Sequence, residues 1–184
     1  DKKYFMISLH SETLTSNNSK LVSNVLKSLD SFKDYIKIFS YPNSDTNGEI
    51  LMREIKHYTK NNQNSLITPS FGRIDYLHLL KYSEVLIGNS SSGLVEAPYL
   101  GTPTVDIGER QKGRPKSNSI FSANPSVSSI KSNIKSALNF KKNNKNFKYQ
   151  WINSIHKILN VLEKIDLHDI KKKSFVDIAW KIIK

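Results

Sequence analysis

The sequence predicts an α/β domain: a parallel sheet of about six strands with helices on both faces. Two observations predict it. Short apolar runs of strand length alternate along the chain with amphipathic stretches of helical period. Strands that alternate with helices need crossover connections, which make the sheet parallel and place its ligands beyond the carboxyl ends of the strands.

The first run, Tyr4-Phe5-Met6-Ile7-Ser8-Leu9, has the composition of a buried strand and ends at His10-Ser11-Glu12. Leu21, Val22, Val25, Leu26 and Leu29 then recur at helical spacing behind a polar start over residues 15–19. Tyr35-Ile36-Lys37-Ile38-Phe39 reads as the second strand, 48–60 as helix, 65–67 as strand, 74–82 as helix and 85–87 as strand. A helix over 92–100, a strand over 104–107, a weaker strand over 119–121 and a helix over 126–138 complete the alternation. Beyond a polar linker over 143–148, residues 151–165 and 166–184 carry two helical patterns without further strands. The division expected is a sheet domain over 1–142 and a helical extension over 143–184 that packs on it.

At 184 residues the chain suits one domain with its own core. No stretch approaches the ~20 apolar residues of a spanning helix, so a cytoplasmic protein without a membrane partner is expected. Lack of cysteine removes thiolate nucleophiles and cysteine-based zinc sites, and five scattered histidines suggest no metal site. The formal charge of +12 invites a nucleic-acid reading. Its lysines, however, gather in the Asn/Lys tract around Lys141 to Lys148 and in the last helices, the pattern of a solvated face, so no nucleic-acid partner is expected.

The strand-to-helix loop Gly88-Asn89-Ser90-Ser91-Ser92-Gly93 offers amides and hydroxyls where a helix begins, a place suited to phosphate. One serine suffices to cap a helix, at about 0.5–2 kcal/mol, and three between glycines exceed that need. Leu94 and Val95 stand where a P-loop requires Lys and Ser/Thr, and Ser92 stands where a nucleophile elbow requires glycine. Glu96 follows one turn into the same expected helix, positioned either to complement its dipole or to accept ribose hydroxyls. Arg110 and Arg114 come from the loop after the next strand, and arginine's planar fork fits phosphate oxygens.

Taken together, Gly88-Asn89-Ser90-Ser91-Ser92-Gly93-Leu94-Val95-Glu96-Ala97-Pro98, Leu100-Gly101-Thr102-Pro103-Thr104 and Arg110-Gln111-Lys112-Gly113-Arg114 strongly resemble the UDP-N-acetylglucosamine 2-epimerase family, in its hydrolysing, sialic-acid branch. His10, Tyr41-Pro42-Asn43 and Pro69-Ser70-Phe71 extend the resemblance. It implies a Rossmann-like second domain of a glycosyltransferase-B-type protein, whose N-terminal domain would be a partner of this one. It implies that Ser90 and Ser91 hold phosphate, Glu96 the ribose hydroxyls, Arg110 the pyrophosphate and Phe71 the uracil. His10 and Asn43 would face the sugar-diphosphate, with His10 the one catalytic candidate on this chain and the main acid–base residues in the N-terminal domain. The ligands implied are UDP and UDP-N-acetylglucosamine or a related aminosugar nucleotide, with no cofactor and no metal, in a possible homodimer inactive without its other half. A nucleotide-sugar-binding domain of a glycosyltransferase is the alternative. Tyr149-Gln150-Trp151-Ile152-Asn153-Ser154 departs from the family's glycine-rich segment, and related branches use other aminosugars.

Overall fold

The computed structural model describes residues 2–12, 18–43, 48–144 and 154–165. Its strands are β1 (Tyr4–Ser8), β2 (Ile36–Ser40), β3 (Ser65–Thr68), β4 (Val85–Gly88), β5 (Thr104–Ile107) and β6 (Ile120–Ala123). They form one sheet in the order β3-β2-β1-β4-β5-β6, and every neighbouring pair is parallel. The helices are α1 (Asn18–Leu29), α2 (Gly48–Asn61), α3 (Gly72–Tyr82), α4 (Glu96–Leu100), α5 (Val127–Asn143) and α6 (Ser154–Lys164). The six-stranded parallel sheet with helices on both faces is the fold the sequence predicts.

Strand alternation sorts the core into two layers. Phe5, Ile7, Val85, Ile87, Val105 and Ile107 face α1, α2 and α5, where Val22, Val25, Leu29, Leu51, Ile55, Ile130 and Ile134 are buried against them. Met6, Ile38 and Leu86 point the other way, onto Leu80 of α3 and Ala97 of α4. Within the larger layer Phe5 stacks on Tyr35 with ring centroids 4.4 Å apart and meets Phe32 edge-on at 5.7 Å. β1 and β4 approach so closely at their ends that a Cβ on Gly88 (φ 147°) would collide with the Ser8 carbonyl oxygen.

Two boundaries differ from expectation. The helix expected over 92–100 is broken into a 3₁₀ turn, Ser91–Gly93, and the five-residue α4. Pro98 explains the break, because a continuous helix would need its missing N–H for the Leu94 carbonyl; a fresh start at Glu96 puts Pro98 among the first-turn residues that need no donor. Helix α5 runs five residues past Leu138 to Asn143, after an N-cap in which Ser126 Oγ accepts from Ser129 N–H. The chain divides into two compact units, Asp1–Gln150 and Trp151–Lys184, the second containing α6. The helix expected over 166–184, most of the 143–148 linker, residues 151–153 and most of the segment that departs from the family pattern lie outside the described residues. Among the described residues no helix is long and apolar enough to cross a membrane.

Candidate functional site

From β1 the chain winds toward β2 and β3 on one side, and from β4 toward β5 and β6 on the other. The loop after β1 therefore leaves for the α1 face and the loop after β4 for the α4 face, opening a crevice between them at the carboxyl edge. Asn89 sits at its floor, fully buried. Its Oδ1 accepts from the His10 backbone N–H at 2.8 Å, its Nδ2 donates to the His10 carbonyl at 2.9 Å, and its own N–H donates to the Ser8 carbonyl at 3.2 Å. The loop after β5 reaches the same residue: the Asn89 carbonyl accepts from Gln111 Nε2 at 2.8 Å and from Arg110 Nη1 at 3.3 Å. One asparagine thus joins the ends of β1, β4 and β5.

His10 is 7% exposed. Its Nδ1 accepts from the Asn43 backbone N–H at 3.1 Å, so the neutral ring carries its proton on Nε2, which lies 3.5 Å from Ser8 Oγ. Ser40 Oγ donates to Ser8 Oγ at 3.1 Å and continues this polar row onto β2. Asn43 is exposed, and it is its main chain that fixes the imidazole.

The three serines divide their work. Ser90, half-buried, caps the 3₁₀ turn, its Oγ accepting from Ser92 N–H at 3.3 Å. Ser91 is exposed, and its carbonyl accepts from Leu94 and Val95 N–H. Ser92 is buried and accepts a 2.9 Å bond from the Tyr76 hydroxyl of α3. Because α4 has only five residues, little macrodipole stands behind this loop. The sequence argument from a helix dipole therefore lapses, and what the loop offers an anion is hydroxyls and the neighbouring guanidinium.

Beside the loop lies a cleft of about 310 Å³ lined by Ser40, Pro69, Phe71, Arg73, Tyr76 and Glu96, among others. Phe71 is half-buried and backs the cleft while packing on the Met6–Leu86 core layer. Glu96 is exposed at the start of α4 and lines the same cleft as Tyr76. Burial, reinforced by the Glu96 charge, pushes the Tyr76 hydroxyl above its ordinary pKa, so it stays a donor at neutral pH; the bond to Ser92 opposes that shift.

The loop carrying Arg110 is held at both ends. Glu12 Oε1 accepts from Glu109 N–H at 3.1 Å, and Asn18 grips the Glu12 main chain from both sides, at 2.8 and 3.1 Å. At the far end Lys116 Nζ lies 2.8 Å from buried Asp106 Oδ2 and 2.7 Å from Ser122 Oγ. Arg114 is exposed.

His10, Asn43, Phe71, Ser90, Ser91, Glu96 and Arg110 thus all lie at the carboxyl edge of the sheet. Sequence reasoning missed the groups beneath them. Asn89 and Gln111 stood inside quoted motifs, where nothing in the sequence separates a buried amide from a ligand-facing one. Tyr76, outside every quoted motif, lines the cleft and tethers Ser92. Among the described residues no group of three metal-ligating side chains occurs.

An all-parallel sheet in this order, with polar loops converging on its switch point, defines a Rossmann-like domain. The sequence model of the UDP-N-acetylglucosamine 2-epimerase family matches residues 1–163, and the chain belongs to that family. It is 37% identical over 123 residues to the GDP/UDP-N,N'-diacetylbacillosamine 2-epimerase (hydrolyzing) of Campylobacter jejuni, a match covering 66% of this chain and 32% of the relative. It is 38% identical over 122 residues to the polysialic acid biosynthesis protein P7 of Escherichia coli, covering 65% and 31%. The crystal structure of UDP-GlcNAc 2-epimerase from Neisseria meningitidis bound to UDP-GlcNAc superposes with a TM-score of 0.67 at 11% identity, over 89% of this chain and 45% of that one. The chain therefore matches about a third of the length of these curated relatives and less than half of the solved chain.

Proposed function

We propose that this chain is the C-terminal, nucleotide-gripping half of a hydrolysing 2-epimerase that acts on UDP-N-acetylglucosamine or a close aminosugar relative, in a two-domain glycosyltransferase-B-type arrangement. The observation that carries this reading is the bond from Arg110 to the Asn89 carbonyl, which brings the guanidinium to the loop of Ser90 beside a cleft lined by Phe71 and Glu96. The hydrolyzing activity in the name of the Campylobacter jejuni relative supports the same choice.

In the reaction proposed, a base removes the C2 proton while the C1–O bond breaks and its electron pair leaves with UDP, giving a 2-acetamidoglucal. Water then adds its oxygen to C1 and a proton to C2 from the face that yields the manno product. This chain's task is the leaving group. Arg110, held on the Asn89 carbonyl, and Ser90, held by Ser92 N–H, meet the diphosphate charge as it develops with Ser91 beside them, and donors fixed beforehand lower a barrier most. Glu96 accepts the ribose hydroxyls, Phe71 supports the base, and His10 presents its Nε2 proton toward the sugar-diphosphate. The groups that move the C2 proton belong to the N-terminal half.

Calorimetry of the chain with UDP tests the reading. Wild type binds, Ser90→Ala, Glu96→Ala and Arg110→Ala each weaken binding, and the chain alone releases no UDP from UDP-N-acetylglucosamine. Unchanged affinity in all three variants overturns it.

A further inference from the structure

We propose that Gln111 is a positioning residue: its buried amide, bonded to the Asn89 carbonyl, sets where the neighbouring Arg110 guanidinium meets a diphosphate. The proposal rests on the UDP site inferred above and concerns a residue to which that reading gives no part.

The acceptor is immobile. Asn89 is fully buried, with both side-chain polar atoms on the His10 main chain and its N–H on Ser8. Its carbonyl receives Gln111 at 2.8 Å and Arg110 at the longer 3.3 Å, so Gln111 makes the tighter of the two bonds. The anchor passes to Arg110 through one peptide unit, within turns closed by Lys112 N–H on the Glu109 carbonyl and Arg114 N–H on the Gln111 carbonyl. Gln111 is only 2% exposed, and its Oε1 meets no hydrogen-bond donor among the described residues. An apolar side chain of the same length would fill that space without burying an idle carbonyl. The amide is therefore a poor choice for stability and a good one for fixing a neighbour.

The test uses the whole chain, with Gln111→Met as a near-isosteric variant that lacks the donor. Expected are a melting temperature equal to or above wild type, UDP affinity lower by about tenfold, and unchanged affinity for uridine, which lacks the diphosphate. In an Arg110→Ala background Gln111→Met should have no further effect on UDP, because the two residues act through one contact. Gln111→Leu repeats the measurement if the methionine variant does not fold. A lower melting temperature with parallel losses for UDP and uridine overturns the proposal, since that marks a purely structural side chain. So does an unchanged UDP affinity in a variant of a UDP-binding wild type. A wild type that ignores UDP removes the proposal and the reading of the site together.

Discussion

At the amino edge of the sheet side-chain donors end on main-chain carbonyls where helices and turns finish; at the carboxyl edge they gather the loops after several strands onto shared residues. Lys37 Nζ donates to the Phe32 carbonyl at 2.8 Å, Lys141 Nζ to Ser83 at 2.6 Å, Tyr4 Oη to Leu79 at 2.8 Å and Thr102 Oγ1 to Leu80 at 2.7 Å. Burial pulls both lysines below their ordinary pKa, against the opposing pull of nearby carboxylates. At the other edge Asn89, Arg110, Gln111, Glu12 and His10 link the loops that follow β1, β4 and β5, and Asn43 joins them from β2. At both edges most buried polar groups find partners, with Gln111 Oε1 an exception at the carboxyl edge. The difference teaches that partner choice, rather than burial, separates a polar group that finishes a helix or turn from one that gathers several loops.

The comparison can be broken by variants that ought to affect one edge alone. The largest effect should come from the point where the two central strands touch. Gly88→Ala forces a side chain into the Ser8 carbonyl at a positive φ, and it should cost about 3–5 kcal/mol in urea unfolding and abolish UDP binding with the fold. Lys37→Ala should lower stability by about 2–4 kcal/mol through its cavity, while the remaining folded protein binds UDP as before. Arg110→Ala should do the reverse: UDP affinity falls by about 10- to 100-fold in calorimetry while the unfolding midpoint barely moves.

Smaller effects sharpen the boundary. Tyr76→Phe removes the bond to Ser92 and should cost about 1 kcal/mol of stability, with a modest loss of UDP affinity because the tether lies under the loop proposed to hold phosphate. The smallest concerns Tyr58, whose hydroxyl donates to Asp30 and whose pKa is raised by burial first and by the Asp30 charge second. A raised folded pKa means full stability below about pH 10, the unfolded value, and loss as pH climbs from there toward the folded one. Tyr58→Phe should flatten that alkaline decline in unfolding curves recorded at several pH values and leave UDP binding untouched.

The sheet was legible because buried parallel strands write themselves as near-continuous apolar runs, as at Phe5-Met6-Ile7 and Val85-Leu86-Ile87. Helix ends were less so. Helix α5 continues through Phe140, Lys141 and Lys142 because Phe140 packs edge-on against Phe121 and Lys141 reaches Ser83, contacts with residues far back in the chain. The break before Glu96 was legible in principle, since Pro98 marks it. Asn89 and Gln111 were not, because an amide in a quoted motif looks the same whether it faces ligand or turns inward, and Tyr76 stood outside every quoted motif.

By itself the sequence determined the alternation of elements, the parallel sheet that alternation demands, and the loops in which site residues stand, because these depend on local period and on the short range of backbone geometry. Which side chain turns inward, and which carbonyl two loops share, the tertiary structure alone decided. A hydrogen bond between residues 22 or 79 positions apart, as from Gln111 or His10 to Asn89, exists only once strand order has brought their loops together.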